Sequence, residues 1–391
     1  MLGLFLLACA VQIQSALAWG QGSWQLSEWL INYAGGFVRR GLPGSLLWGL
    51  SRLSGIQANH LAIVAGICCF VWLTGWLLAR ATREFPPVLV LSCLVMGIPA
   101  YQDSIVRKDC LGMLFLLAVC TVAKWNMPRW RILVGLNVVA IIAILTHEAF
   151  AFYGLGVMLI FTRPGQSQGS FRLHALRMLE LAPAILCFLS TLVFHGNPTV
   201  AACVNDSWIP LWQLTDPGNA ATTQPAAAIE ALGWTTGRGL SLGIDLLTSG
   251  FYQPAAWAMV YGTTFGLMVL FSGRGGGSAL MEVKSRVVAI LCVQLLGLSP
   301  LFLLGYDYGR WLFFWTTSTI ILHALGFRAP EVAERLVARM FMLCRAGEWL
   351  PRVPVRDWYL LLFGVPVCWN IGAFTVASPL GRLLSYFPYC Y

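Results

Sequence analysis

The chain of 391 residues is 58% hydrophobic and 13% aromatic, only 10% of it is charged, and its mean hydropathy is +0.73. That composition exceeds what a soluble domain tolerates, and the repeated apolar runs of spanning length predict an all-α, polytopic transmembrane helical bundle. The net charge of +9 does not point to nucleic acid, because no Lys/Arg run or basic stripe exists and the positive charge is spread over short loops between apolar runs.

Residues 1–18 end in Ala16-Leu17-Ala18, which resembles a signal-peptidase site, yet no Lys or Arg precedes the apolar run, so we read an uncleaved first helix over 2–19. Further apolar runs predict helices near 61–79, 86–101, 110–123, 132–146, 149–162, 178–194, 254–272, 287–305, 311–327 and 358–376. Together they make about eleven spans, several shorter than the roughly 20 residues a perpendicular crossing needs, so their ends reach into the loops. The runs at 132–146 and 149–162 are split at Thr146-His147-Glu148, because an ionised pair in mid-bilayer is costly while a pair at a turn near the surface is not. Charge counting supports the split. With the N-terminus inside, seventeen of the twenty-five basic residues fall on one side and eight on the other, namely Arg39, Arg40, Arg52, Arg107, Lys108, Arg238, Arg310 and Arg382. The larger count marks the cytoplasmic side of a cytoplasmic (inner) membrane, and fusing the two halves at His147 would destroy the bias.

Two long segments lie on the outer side. Residues 20–60 carry apolar residues at Trp24, Leu26, Trp29, Leu30 and Tyr33, then Leu46, Leu47, Leu50 and Leu53, spacings that predict helices lying along the interface. Residues 195–253 set Asp206, Asp216, Glu230 and Asp245 against Arg238 alone and read as a periplasmic cap of short helices. On the inner side, 328–357 alternates Arg and Glu with apolar residues, an amphipathic segment. No linker or internal repeat divides the chain, so 1–391 is predicted to be a single integral membrane domain. The twelve cysteines lack metal-ligand spacing, and Cys203 and Cys390 are disulfide candidates.

Four outer-side clusters stand out because charge is scarce. Gly35-Gly36-Phe37-Val38-Arg39-Arg40-Gly41 combines a turn that would expose backbone N–H groups with two arginines able to clamp phosphate oxygens, and Glu28 lies just upstream. The loop Asp103-Ser104-Ile105-Val106-Arg107-Lys108-Asp109 offers Asp103 or Asp109 as general base and Arg107 or Lys108 as phosphate ligand. His147-Glu148 is an ionisable pair within a strongly apolar run, and partial desolvation is expected to raise the Glu148 pKa and make it a proton acceptor. Tyr306-Asp307-Tyr308-Gly309-Arg310-Trp311 offers Arg310 as another anion ligand, Asp307 as a polar substrate contact, and Tyr308 and Trp311 as an aromatic platform for a sugar face. The plain structural alternatives are headgroup-facing arginines, a self-neutralising ion-pair cluster, a helix cap and an interfacial aromatic belt. The clusters meet only if the helices bundle with those ends together.

This layout resembles the C-type glycosyltransferases, multispanning enzymes that take a sugar from a polyprenyl-phosphate donor outside the cytoplasmic membrane. Residues 20–60 match their long first external loop with interfacial helices and an acidic residue, and Asp103 to Asp109 match the short second external loop. The resemblance covers roughly the first half of the chain as architecture. The first loop departs from it in having no Asp, only Glu28, so Glu148 or Asp103 would have to act as base. The chain also looks like bacterial exopolysaccharide and O-antigen polymerases, which hold diphosphate-linked sugars with external arginines and need no metal. The resemblance implies a lipid-linked sugar donor, a glycan acceptor, the bilayer and other polysaccharide-assembly proteins as partners, with no nucleic acid. It implies no cofactor, although a divalent metal stays open. A transporter or flippase of an anionic lipid-linked substrate is the reading from another class.

Overall fold

Prolines punctuate the apolar runs into helices. The computed structural model describes residues 1–18, 23–101, 104–161, 171–215, 225, 227–248, 254–273, 278–305, 307–345 and 356–364, and no strand occurs among the described residues. The first half of the chain forms α1 (Leu2–Ala18), α2 (Trp24–Ser27), α3 (Gly41–Ser54), α4 (Ala58–Ala81), α5 (Pro87–Val90), α6 (Gly97–Tyr101), α7 (Asp109–Ala123) and α8 (Arg129–Thr146). A π-helical turn, Ala151–Leu155, leads into α9 (Gly156–Ile160), followed by α10 (Phe171–Glu180), α11 (Ala182–Val193) and α12 (Pro198–Thr215). Then come α13 (Ala227–Glu230), α14 (Thr236–Thr248), α15 (Pro254–Phe271), α16 (Ser278–Leu298), α17 (Leu301–Leu304), α18 (Tyr308–Ala324), α19 (Glu331–Leu343) and α20 (Tyr359–Leu362). Pro86, Pro128 and Pro330 cap α5, α8 and α19, where a missing N–H is harmless because the first turn has no acceptor for it.

α4 and α8 are long and apolar enough to cross a membrane, and α11 with Pro198–Gln213 passes the same test as a pair bent by 98°. α1, α7 and most of α15 are apolar but shorter. The predicted helix over 86–101 is not one helix. It is α5 and α6 joined by a buried turn in which Gly97 N–H donates to the Ser92 carbonyl at 2.8 Å and Leu94 N–H to Ser92 Oγ at 3.2 Å. The hydroxyl of Thr316 on α18 donates to the Leu94 carbonyl, so a neighbouring helix satisfies a backbone group that the break sets free. Within the predicted run 358–376 only α20 is described, and residues 365–391, Cys390 among them, lie outside the described residues.

The helix ends form two poles. At one, Lys124 after α7 bonds the Leu325 carbonyl after α18, Arg129 and Arg177 hold Glu180, and buried Lys284 donates to the carbonyls of Val269, Leu270 and Ser272 at 2.6–2.9 Å. At the other pole lie the start of α7, the end of α8 and the start of α18, covered by a cap. The cap joins residues 23–54 to α12 and α13 around a core of its own that includes Leu26, Leu30, Ile31, Val204, Trp208 and Ile229. Each fully buried aliphatic side chain there contributes about 2 kcal/mol. Indole N–H groups tie the two segments: Trp208 donates to the Leu30 carbonyl at 2.8 Å and Trp48 to the Ser207 carbonyl at 3.1 Å.

α3 reaches this core because Gly44 faces the Leu30–Ile31 backbone so closely that an added Cβ would run into the Ile31 carbonyl. Gly44→Ala is therefore expected to destabilise the protein by about 3 kcal/mol, read as a lowered melting temperature by tryptophan fluorescence. An unchanged transition would mean that α3 does not rest on that backbone.

Candidate functional site

Local sequence features aim each charged cluster at the capped pole. In the first loop, Arg40 closes the turn before α3 in the left-handed conformation (φ 64°), a conformation rare for a long side chain. In the second loop, α4 meets the Val106 backbone at Gly66, and the Trp29 indole donates to the Val106 carbonyl. With Ile105 and Val106 buried there, Arg107 and Lys108 come next, at the start of α7. The third cluster sits at a real break: α8 ends at Thr146, His147 is extended (φ −160°, ψ 117°), and the chain resumes as the π-helical turn. Asp307 caps the start of α18, where its carbonyl accepts from Arg310 N–H at 2.9 Å.

The four clusters meet. Arg310 reaches Asp109 with two nearly parallel bonds, Nε to Oδ2 at 2.8 Å and Nη2 to Oδ1 at 2.6 Å, and also Asp307 at 2.9 Å and Glu28 at 3.5 Å. Arg40 grips Glu148 through Nε at 3.0 and 2.8 Å and through Nη2, while Arg39 Nη1 stands 3.6 Å from the same carboxylate. Arg107 lies 3.8 Å from Asp307. Lys108 donates to the Thr146 carbonyl at 3.2 Å. Arg310 Nη2 approaches His147 Nε2 at 3.3 Å, and Ala149 N–H approaches Nδ1 at 3.2 Å. Burial is graded across the cluster: Glu28 and Lys108 are 0% and 1% exposed, whereas the Asp307 side chain is 47% exposed.

Burial and charge oppose each other here, and charge decides for the acids. Burial alone would push Glu148 up, but Arg40 above all, with smaller contributions from His147 and Arg39, holds its carboxyl well below the usual range. Glu28, more deeply buried, is held down by Arg310 and then Arg107. Burial pushes the Lys108 ammonium down to about 7 against the attraction of Glu28. Burial and then Arg40 push His147 well below its ordinary value, which agrees with a ring whose two nitrogens both face donors.

Several expectations need correction. The Glu148 pKa is lowered, not raised, because Arg40 lies against it although 108 residues separate them in the chain. Within the glycine turn, Gly36 N–H is not free for a ligand but bonded to the Tyr33 carbonyl at 3.0 Å, and Arg39 N–H is bonded to the Phe194 carbonyl at 3.1 Å. Trp311 is not an open platform. It is 6% exposed and packs edge-on against Tyr308 and Phe302, while Tyr308 also faces the Trp257 ring at 5.6 Å. Asp109, offered as a general base or a substrate contact, is 5% exposed and bound by Arg310 within the cluster. Asp103 and Tyr306 lie outside the described residues.

Other contributors gave little warning. Trp24 donates its indole N–H to Glu28 at 3.2 Å, a contact that the i, i+4 spacing in a short helix would have suggested. Nothing along the chain marks the Thr146 carbonyl as the partner of Lys108.

The arrangement leaves groups for something else to meet. Arg39 Nε, Arg107 Nε and Glu28 Oε2 are buried without a hydrogen-bond partner among the described residues. Five basic side chains stand among four carboxylates, so the cluster suits an oxyanion able to reach the arginines. Among the described residues no group of three or more His, Cys, Asp or Glu side chains could hold a metal ion. No family model, curated protein or solved structure matches the chain.

Proposed function

We propose that the protein is a multispanning membrane glycosyltransferase that takes a sugar from a polyprenyl-phosphate donor at the outer face of the cytoplasmic membrane, in the assembly of cell-surface glycan. The observation that carries this reading is the meeting of Arg39, Arg40, Arg107, Lys108 and Arg310 with Glu28, Asp109, His147 and Glu148 at one pole of an apolar helical bundle. Scattered charge brought together beside apolar helices fits a phosphate headgroup whose lipid stays in the bilayer. In this reading most of the predicted spans cross the membrane, the pole of Lys124 and Lys284 faces the cytoplasm, and the cap lies outside.

In the reaction, the acceptor hydroxyl attacks the anomeric carbon and the bond from that carbon to the phosphate oxygen breaks, its electron pair leaving with the phosphate. Arginines would stabilise the charge that develops there. The proton of the hydroxyl passes to Glu148 or to neutral His147, with Asp103 as a further candidate. A diphosphate-linked donor in a polymerase would use the same groups. A transporter or flippase is favoured by one specific observation, the discontinuous buried segment α5–α6, since broken helices frame substrate sites in such proteins.

The test is to incubate the purified protein with polyprenyl-phosphate and polyprenyl-diphosphate sugars and glycan acceptors. Arg40→Ala is expected to cut product formation by at least about 100-fold, the scale for losing one preorganised ligand of a developing anion. Translocation of the lipid-linked sugar without a new glycosidic bond would instead establish transport.

A further inference from the structure

The Arg39–Arg40 pair, two adjacent guanidinium groups suited to an oxyanion, is already occupied by a side chain of the protein itself. Glu148 presents both carboxylate oxygens to Arg40 Nε, one of them also to Nη2, the kind of two-nitrogen grip with which guanidinium groups hold phosphate, and Arg39 Nη1 lies 3.6 Å from it. Three further features point to an exchangeable partner. The segment that carries Glu148 lies between an extended His147 and a π-helical turn, an irregular stretch of the kind often found where helices do functional work. Arg40 is held in the left-handed conformation, a strain that its surroundings maintain rather than relax. Arg39 keeps a buried Nε with no partner in the described residues, so Glu148 does not satisfy the pair.

We propose that Glu148 is a displaceable latch: its carboxylate occupies the seat of a lipid phosphate ester on Arg39 and Arg40, and the arriving phosphate drives it out. This rests on the reading of those arginines as an oxyanion seat. The resting site is thereby kept neutralised, because the two half-buried arginines would otherwise face each other without a counter-charge. Displacement also frees the Glu148 carboxylate from Arg40 only when donor is bound, next to His147 at 3.7 Å, so that a proton acceptor becomes available in the occupied site. The latch also confers selectivity, since a ligand must outcompete a carboxylate already in place, which an anionic phosphate ester does and a neutral lipid does not.

The test is direct binding of farnesyl phosphate, and separately inorganic phosphate, to the purified full-length protein in detergent by isothermal titration calorimetry. Glu148→Gln removes the competing charge at nearly unchanged shape and is expected to bind farnesyl phosphate at least tenfold more tightly than the wild type. Glu148→Asp, with a shorter reach, is expected to fall between, and it keeps the question open to refutation should Glu148→Gln fold poorly. Arg40→Ala is expected to lose the gain when combined with Glu148→Gln. Damage to the fold does not raise affinity, so the direction of change separates a latch from a structural ion pair. Equal or weaker binding by both Glu148 variants, with the wild type still binding, overturns the latch and leaves the oxyanion seat standing. No binding of farnesyl phosphate by any of the proteins overturns both. A tenfold gain seen for inorganic phosphate as well places recognition in the phosphate group, and a gain confined to farnesyl phosphate adds the lipid chain to it.

Discussion

Arg310→Ala is expected to lower the stability of the protein by about 3–5 kcal/mol, the range for removing one partner from a buried ion-pair network. Arg310 is the centre of three carboxylates: it bonds Asp109 through two nitrogens, bonds Asp307, and lies 3.5 Å from Glu28. The three do not suffer equally. Asp307 is nearly half exposed and turns to solvent when the guanidinium leaves, so its share of the loss is small. Glu28 is fully buried and already has one oxygen without a partner, and Asp109 is 5% exposed. These two carry the effect, because the carboxylates cannot follow their lost counter-charge into water. Glu28 is held below its ordinary pKa, so the stability it contributes is full above the unfolded value near 4.5 and disappears as pH falls through the folded one. In Arg310→Ala that depression shrinks, Arg310 being its largest attractive cause, and the deficit relative to wild type is expected to narrow as pH falls below about 4.5. Adding Asp109→Asn to Arg310→Ala is expected to recover part of the loss at neutral pH, a coupling that a double-mutant cycle in thermal unfolding would read. A loss below about 1 kcal/mol, as for an exposed pair, would remove Arg310 from the centre of the site.

The positions of the charged clusters were legible because charge is rare in this chain, and an ionisable pair inside an apolar run such as His147-Glu148 marks a break that composition alone reveals. The amphipathic α19 was legible for a similar reason: Val337 is buried while Glu331 and Arg335, four residues apart, pair on its outer side. What periodicity does not encode is which distant backbone groups meet. The cap depends on indoles donating to carbonyls, as Trp208 does to Leu30 across 178 residues, and a tryptophan in an apolar segment reads the same whether it bonds a carbonyl or faces lipid. The break between α5 and α6 was hidden because every residue from Leu89 to Tyr101 is buried, so the run has no polar interruption beyond Ser92. The error over Glu148 has the same root. Desolvation can be guessed from apolar neighbours along the chain, but the arginine that reverses its effect comes from another loop.

Lys108→Met is expected to do the opposite of Arg310→Ala and stabilise the protein at neutral pH while weakening its oxyanion affinity. Lys108 is 1% exposed, and its ammonium donates to the Thr146 carbonyl. Burial brings its pKa from 10.5 down to about 7, and with each unit equivalent to about 1.4 kcal/mol the depression is on the order of 5 kcal/mol. Below pH 7 both the folded and the unfolded chain carry the proton, so the whole penalty is present. Between pH 7 and about 10.5 the unfolded chain binds the proton and the folded one does not, so wild-type stability is expected to climb with pH across that interval. Methionine has similar length, no charge and enough flexibility to fill the same space, so the variant should start higher at pH 6 and lose most of that climb. Thermal unfolding of both proteins from pH 6 to 10 reads this, and parallel curves would mean that Lys108 does not titrate there. A buried ammonium works against the fold, so packing alone gives Lys108 no use. In the oxyanion reading its use is positive charge deep in the cluster, where an arriving phosphate would itself raise the Lys108 pKa and draw a proton onto it. Proton uptake on farnesyl phosphate binding near pH 8, measured by calorimetry in buffers of different ionisation enthalpy, is therefore expected in the wild type and absent in Lys108→Met.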